Sequence, residues 1–516
     1  MQASLRKISL PITPQKQDAD HIFYELTRSI CPECRRIIDG HVLLRNNKVY
    51  MRKRCPEHGE FEGLIYGDAQ AYTSHTKFNK PGTIPLQFST EIAMGCPHDC
   101  GLCPDHQQHS CVGIIEVNTA CDMDCPLCFA DAGHGYSLTI AEVEDILDHF
   151  VATEGDPEVV QFSGGEPSIH PDIIPMLRAA KERNIANVML NTNGKRIAND
   201  DAFLAELAEL KPFIYFQFDG FERETYRIIR GEPEILPEKI RALDRLAEIG
   251  CMTILVPAIE RGVNEHEIGD IIKFGLEHPA VYGINFQPAF HAGRHMPHDP
   301  LQRITIPDLL KAVEAQTDGL FLESDFTPVP CCFPTCNSAT YAYIDQDGTV
   351  LPLSRLVNVD NYLDYFTNRV LPDLKMNLRP ALEMLWSSSA APGMEKATRN
   401  FVLTCAACGI IGGGIDLGEI AQHMFMIMFQ DFMDLYTFNQ KNLMKCCKEI
   451  LLPDGYQIPF CAYNTVGYRE QARGQLAARQ RARIRAGREG APFTPRPLRF
   501  EFGQPYPHLK NINAKS

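Results

Sequence analysis

Cys121-Asp-Met-Asp-Cys125-Pro-Leu-Cys128 carries three thiols in eight residues. Thiolates at this spacing can hold three irons of a cubane cluster, where a closed four-iron site takes a fourth cysteine. One iron is then free to bind something else. A structural zinc site is the other use of such residues, but zinc normally takes four protein ligands.

A β-like run, Val112 to Asn118, precedes the triad, and Gly164-Gly165-Glu166-Pro167 ends a second such run, Glu158 to Phe162. Strand, CxxxCxxC, strand and GGEP in this order resemble the radical S-adenosylmethionine superfamily. The resemblance implies that the open iron chelates the methionine end of S-adenosylmethionine and that Gly164, Gly165 and Glu166 bind its amino group. It also implies reductive cleavage of the cofactor to a 5'-deoxyadenosyl radical by an electron from the [4Fe-4S] cluster.

Other cysteines ask for more metal. Cys31-Pro-Glu-Cys34 and Cys55-Pro-Glu-His58, on either side of a β-rich stretch, suit a tetrahedral site for zinc or a rubredoxin-like iron, with Cys31, Cys34, Cys55 and His58 as ligands. A structural staple is the reading we favour over an electron relay. Cys96, Cys100, Cys103 and Cys111 lie within sixteen residues rich in glycine and proline, and are assigned to an auxiliary four-iron cluster. Cys331 and Cys336, bracketed by prolines, begin a second auxiliary cluster. Cys405, Cys408, Cys446, Cys447 and Cys461 are available to complete it, and Cys408 and Cys461 are taken as its ligands. Cys251, alone in an apolar strand, reads as a small buried hydrophobe.

The elements that must position these groups alternate. Strands are predicted at 112–118, 158–162, 187–191, 213–218, 252–259 and 282–287, with helices at 141–153, 171–184, 200–210, 235–250, 264–277 and 306–317. Near-continuous apolar strands between amphipathic helices mean a parallel sheet with right-handed crossovers, an α/β fold. With the resemblance, this becomes a partial (β/α)6 radical SAM barrel. Its domains are expected as an N-terminal metal-binding subdomain at 1–78, a cluster segment at 79–111, the barrel at 112–320, a cysteine-rich auxiliary cluster region at 321–468 and a basic tail at 469–516.

Sites in such barrels collect at the C-terminal strand ends. There stand Asn191, Asn193, Gln217, Asp219, Glu260, Arg261 and Gln287. Some should hold the ribose and adenine of S-adenosylmethionine, Asn193 and Asp219 first. Helix capping accounts for Asp172 and Asp200.

Composition sets limits. The 516 residues suggest two to four domains, and a net charge of -15 argues against general nucleic-acid binding. Nineteen cysteines without a recognisable signal peptide point to metal rather than disulfides, in a reducing cytoplasm. No apolar run reaches the roughly 18 residues of a membrane span; the nearest is Phe401 to Ile415. Contact with lipid would therefore be peripheral. His423-Met-Phe-Met-Ile-Met-Phe429 reads as a buried helix or as a greasy wall for a hydrocarbon. Nine arginines between Arg469 and Arg499 read as a solvated tail, or as a patch for anionic headgroups.

The motifs CPEC, CPEHG, KFNKPG, GCPHDCGLCPDHQQHSC, IEVNTACDMDCPLCF, PCCFPTC and IPFCAYN resemble the tetraether lipid synthase family and its bacterial relatives over nearly the whole chain. This implies carbon–carbon bond formation between unactivated ends of lipid chains, with one chain trapped on a sulfide of an auxiliary cluster. The same group is linked to methylation of a 7,8-dihydropterin, the alternative activity. A non-catalytic iron-sulfur electron carrier is a third reading. The lipid reading requires a long apolar channel and the pterin reading a smaller polar pocket. An electron donor such as ferredoxin or flavodoxin is expected as a partner; oligomeric state is not legible.

Overall fold

The computed structural model describes residues 19–329, 331–356 and 423–502. Four strands open the chain: β1 (Ile22–Ile30), β2 (Ile37–Arg45), β3 (Lys48–Cys55) and β4 (Gly59–Tyr66) form an antiparallel sheet in sequence order. Alternation buries Val42, Val49, Met51 and Leu64 on its inner face.

The main sheet begins with β5 (Val112–Asn118), β6 (Val159–Gly164), β7 (Asn187–Thr192), β8 (Phe213–Gln217), β9 (Thr253–Val256), the short β10 (Ala258–Ile259) and β11 (Val281–Pro288). β5, β6, β7, β8, β9 and β11 pair in parallel, each to the next. Every residue of β5 is buried, as expected of a strand covered on both faces. The helix Ile140–Glu154 shows how the crossovers are specified. Thr139 and Glu142 form a capping box at its start, and Val143, Ile146, Leu147 and Phe150 turn into the core. Asp200 caps the helix Asp201–Leu210 by accepting from the Phe203 N–H, whereas Asp172 makes no side-chain cap.

The later chain extends the same sheet. It adds β12 (Asn337–Ile344), β13 (Val350–Pro352), β14 (Met424–Gln430), β15 (Lys448–Leu451) and β16 (Gln457–Pro459), giving the order β13-β12-β14-β11-β9-β8-β7-β6-β5-β15-β16. β14 runs parallel to β11 and β15 parallel to β5.

Two expectations are corrected here. The stretch 423–429, read as a buried helix, is mostly strand β14. Its continuous apolar run hid a period of two: Phe425, Ile427 and Phe429 are buried in the core, while Met426 and Met428 line an interior cavity. The arginine-rich segment is not a solvated tail. Tyr468–Glu489 is one helix bound to the body through ion pairs of Arg469 with Glu116, Arg479 with Asp454 and Arg483 with Glu142. Among the described residues no helix is long and apolar enough to cross a membrane.

Candidate active site

The loop after β5 carries Cys121, Cys125 and Cys128, whose thiols lie close enough for each to feel the next one's charge. Burial pushes the Cys121 thiol up to about 12 and raises that of Cys125. Metal binding here must therefore release protons. The loop is clamped from outside. Cys128 and Arg294 exchange backbone hydrogen bonds, and Gly293 admits this approach because a Cβ there would stand 2.4 Å from the Phe129 carbonyl oxygen.

The GGEP turn meets the entry to this loop. A Cβ on Gly164 would lie 2.2 Å from the Asn118 carbonyl oxygen and one on Gly165 2.1 Å from that of Ala120, so both positions require glycine. The Gly165 and Glu166 N–H groups donate to those same two carbonyls. Glu166 is buried, and its carboxylate accepts from Ser168 N, Thr192 Oγ1 and Asn193 N at 3.0, 2.8 and 2.7 Å. It pins the turn, and its proximity to Cys121 brings GGEP and the triad together. Asn193 donates its amide to Asp122 at 2.6 Å, within the same loop. Three neighbouring thiols on one loop beside a glycine-built turn suit an open cubane and the cofactor it chelates.

The other strand-end residues divide. Asp219 is corrected: rather than facing a ribose, its carboxylate receives both Arg230 Nε and Nη2, at 2.7 and 2.6 Å, and the Ala258 N–H. Arg230 in turn reaches Cys125 and lines the cavity. Asn191, Gln217 and Gln287 line the cavity. Glu260 faces His291 instead, and Arg261 donates to the Gln302 and Arg303 carbonyls.

The cavity, of about 280 Å³, is walled by alternate residues of β5 to β11, β14 and β15, so the sheet curls around it. Apolar residues such as Met426, Met428 and Phe290 share the wall with Gln161, Asn191, Tyr215, Asn285, Gln287 and Gln430. The Tyr215 hydroxyl accepts from Asn285 Nδ2 and Gln287 Nε2 at 2.6 and 2.8 Å. Asn285 Oδ1 is buried with no hydrogen-bond partner among the described residues. Arg230, Tyr215, Asn285 and Lys448 were not singled out from the sequence. An arginine eleven residues beyond a strand-end aspartate was the only available hint, and the others look like ordinary strand residues.

Cys111 also departs from expectation. Its thiol lies within 4.8 Å of those of Cys331 and Cys447, and not in the Cys96 group. Pairing is the reason: Cys111 and Cys447 immediately precede β5 and β15, which align Val112 with Lys448. Cys332 joins this set and is held well below the ordinary thiol range by hydrogen bonds from Cys331, Cys336 and Cys447; Asn337 Nδ2 donates to it at 2.6 Å. Cys336 adjoins Cys332. Cys461 accepts from Met433 N and lies outside the Cys111–Cys331–Cys447 group, while Cys405 and Cys408 fall outside the described residues. Cys96, Cys100 and Cys103 line a small hollow with His106, Met444 and Pro459.

Cys31, Cys34, Cys55 and His58 converge within 4.8 Å, with His58 Nδ1 3.7 Å from Cys31 Sγ and 3.4 Å from Cys55 Sγ. Burial opposes ionisation of Cys55, but the Glu57 N–H and the His58 ring and N–H draw its thiol down to about 6. Three thiols and an imidazole on neighbouring hairpin turns fit a tetrahedral metal.

Two protein families match separate parts of this chain. The Radical SAM superfamily matches residues 115–275, and the HMPTM N-terminal zinc ribbon domain matches residues 23–67. A 7,8-dihydro-6-hydroxymethylpterin dimethyltransferase of Methanocaldococcus jannaschii is 33% identical over 482 residues, 86% of this chain and 94% of its own. A probable GTP 3',8-cyclase of Methanothermobacter thermautotrophicus is 26% identical over 175 residues, 33% of this chain and 55% of its own. The crystal structure of Streptococcus suis SuiB bound to S-adenosylmethionine aligns at a TM-score of 0.35 and 18% identity, over 41% of this chain and 47% of that one. These last two matches span about half of each relative's length. S-adenosylmethionine and a [4Fe-4S] cluster are the cofactors the superfamily match implies. The chain belongs to the radical S-adenosylmethionine superfamily and, within it, to the family of the M. jannaschii enzyme.

Proposed function

We propose that this protein is a radical S-adenosylmethionine methyltransferase acting on a 7,8-dihydropterin, built on a partial six-unit barrel flanked by auxiliary cysteine-bound clusters. Lipid chain coupling, the main expectation from the motifs, draws no support from the relatives; the pterin alternative does. The observation that carries the reading is the cavity. It is compact, and amide groups and a tyrosine interrupt its apolar wall. A flat heterocycle with donors and acceptors along one edge matches such a lining better than a saturated chain, which would leave buried amides unpaired.

The side chains suggest how the ring would be held. Tyr215 fixes the Asn285 and Gln287 amides, leaving Asn285 Oδ1 to accept from a ring N–H or amino group. Met426, Met428 and Phe290 supply faces on which the ring can lie. At one end Arg230, locked by Asp219, lines the cavity and reaches Cys125, placing positive charge beside the thiols. At the other, Lys448 lines the cavity and feels the charge of Cys447 and Cys332. The substrate would then sit between two cysteine sets. When bound at Cys121, Cys125 and Cys128, the cluster and S-adenosylmethionine supply one-electron chemistry for a carbon that no side-chain base could deprotonate. A ferredoxin- or flavodoxin-like donor would supply the electron.

The test is anaerobic incubation of the reconstituted protein with S-adenosylmethionine, a low-potential reductant and 7,8-dihydro-6-hydroxymethylpterin. We expect a pterin product heavier by one or more methyl groups. An unchanged pterin alongside sustained 5'-deoxyadenosine formation would overturn the assignment.

A further inference from the structure

The loop from Ala289 to Pro300 covers the exit of β11 and is tethered twice. Arg294 pairs with Cys128 in the cluster loop, and the Pro300 carbonyl accepts from Leu64 N on β4. Between these tethers the loop gathers three imidazoles. One ring nitrogen from each of His291, His295 and His298 lies within 4.8 Å of the others. Glu260, just past β10, brings a carboxylate to the edge of this group, with its Oε2 3.6 Å from His291 Nε2.

The polar groups here are unsatisfied. Glu260 Oε2, His291 Nδ1 and His298 Nε2 are all buried and have no hydrogen-bond partner among the described residues, and the His291 side chain is only 3% exposed. Orphaned polar atoms cost free energy unless an ion, a water or a ligand takes them up. Two of these orphans belong to imidazoles of one close group, and the third is the carboxylate oxygen beside His291, so a bound ion is a natural partner for them. Asp434 and Asp299 act on these imidazoles and Glu265 lies near Glu260, so that with Glu260 the acids outnumber the neighbouring cations Arg261 and Arg303, the latter itself paired with Asp431. The local charge therefore favours a cation.

We propose that His291, His295, His298 and Glu260 form a binding site for a divalent transition-metal ion, distinct from the cysteine sites. Imidazole nitrogens with one carboxylate are donors that zinc, ferrous iron or cobalt accept readily, and no thiol takes part. His291 and His298 now stack with ring centroids 3.6 Å apart and planes 9° apart, so closing the set requires His298 to turn about its χ2. His298 is half-buried, and His295 is exposed. The bound ion would fasten the loop that clamps Cys128 to the strand end at Glu260.

Cobalt(II) tests this directly in the full-length, anaerobically reconstituted protein after dialysis against EDTA. We expect one equivalent to bind with weak ligand-field bands and no thiolate-to-cobalt charge transfer. The exchangeable cysteine site near the N-terminus would show that charge-transfer band and would lose it in Cys31→Ser. The double variant His295→Ala/His298→Ala changes only exposed or half-buried positions and should fold. It should lose the equivalent that lacks thiolate character while keeping the clusters' iron content. Glu260→Gln should bind this equivalent more weakly. Cobalt appearing only with thiolate charge transfer, or binding undiminished in the double variant, would overturn the proposal. Undiminished affinity in Glu260→Gln would remove the carboxylate from the site.

Discussion

The two ends of the cavity hold cysteines in contrasting ways. At the C-terminal end of β5, Cys121, Cys125 and Cys128 come from one loop, shaped by two glycines of a neighbouring turn and by the Arg294 clamp. At the N-terminal end, Cys111, Cys331 and Cys447 come from three distant segments; the pairing of β15 with β5 brings Cys111 to Cys447, and the segment before β12 brings Cys331 to them. A local loop can be organised for an exchangeable ligand while the sheet around it stays rigid. A set gathered from across the fold ties sheet closure to metal binding, since the ligands are apart in the unfolded chain.

That contrast can be broken or sharpened by substitution. The largest effect belongs to Cys125→Ala, which should abolish 5'-deoxyadenosine formation while sparing iron at the Cys111 end; persistent cleavage would move the radical site elsewhere. Next, Cys111→Ala and Cys447→Ala should give the same loss of iron and the same change in the reduced electron paramagnetic resonance spectrum. If Cys111→Ala instead matched Cys96→Ala, the pairing argument would fail. Asp219→Asn leaves the Arg230 charge buried without its carboxylate, at a cost of about 3–5 kcal/mol in urea unfolding. Little change there would mean that Arg230 finds another partner.

Smaller effects probe the cavity wall. Asn285→Leu removes one acceptor from the proposed pterin site and should raise KM roughly tenfold, since an unsatisfied buried donor costs about 1–3 kcal/mol. Its kcat should change less. Lys239, whose Nζ donates to the Asn193 and Gln217 carbonyls, has its pKa drawn down to about 8 by burial. Below that pH it is charged in both folded and unfolded states and the penalty is complete. As pH rises from about 8 towards the ordinary lysine value of about 10.4, the unfolded chain holds the extra proton and the penalty is relieved. Stability should therefore gain less across this window in Lys239→Met than in wild type, measured by urea unfolding at pH 8 and pH 10.

What was legible in the sequence follows the same division. The triad, GGEP and the order of strands β5 to β11 are local patterns, and each predicted strand overlaps an observed one. Cys31, Cys34, Cys55 and His58 were legible because two short knuckles carry the whole set. Cys111 was grouped with the cysteines nearest in sequence, whereas its partners are fixed by the register of β15 against β5. Strand β14 was read as a helix because both of its faces are apolar, one against the core and one against the cavity. Arg469 looked like tail charge, yet it lies buried on Glu116, a pairing between residues far apart in the chain. Asp219 was placed correctly at a strand end and misread in role, since its arginine partner could not be identified without the fold.

The account's central claim is that the cavity between the two cysteine sets is built for a pterin ring. The most direct measurement is the initial rate of 5'-deoxyadenosine formation as a function of 7,8-dihydro-6-hydroxymethylpterin concentration, in wild type and in Tyr215→Phe/Asn285→Leu, with a saturated-chain glycerolipid as the comparison substrate. We predict saturable stimulation by the pterin, shifted to higher concentration in the double variant, and no stimulation by the lipid. Stimulation by the lipid alone, or a pterin response untouched by the double variant, would contradict it.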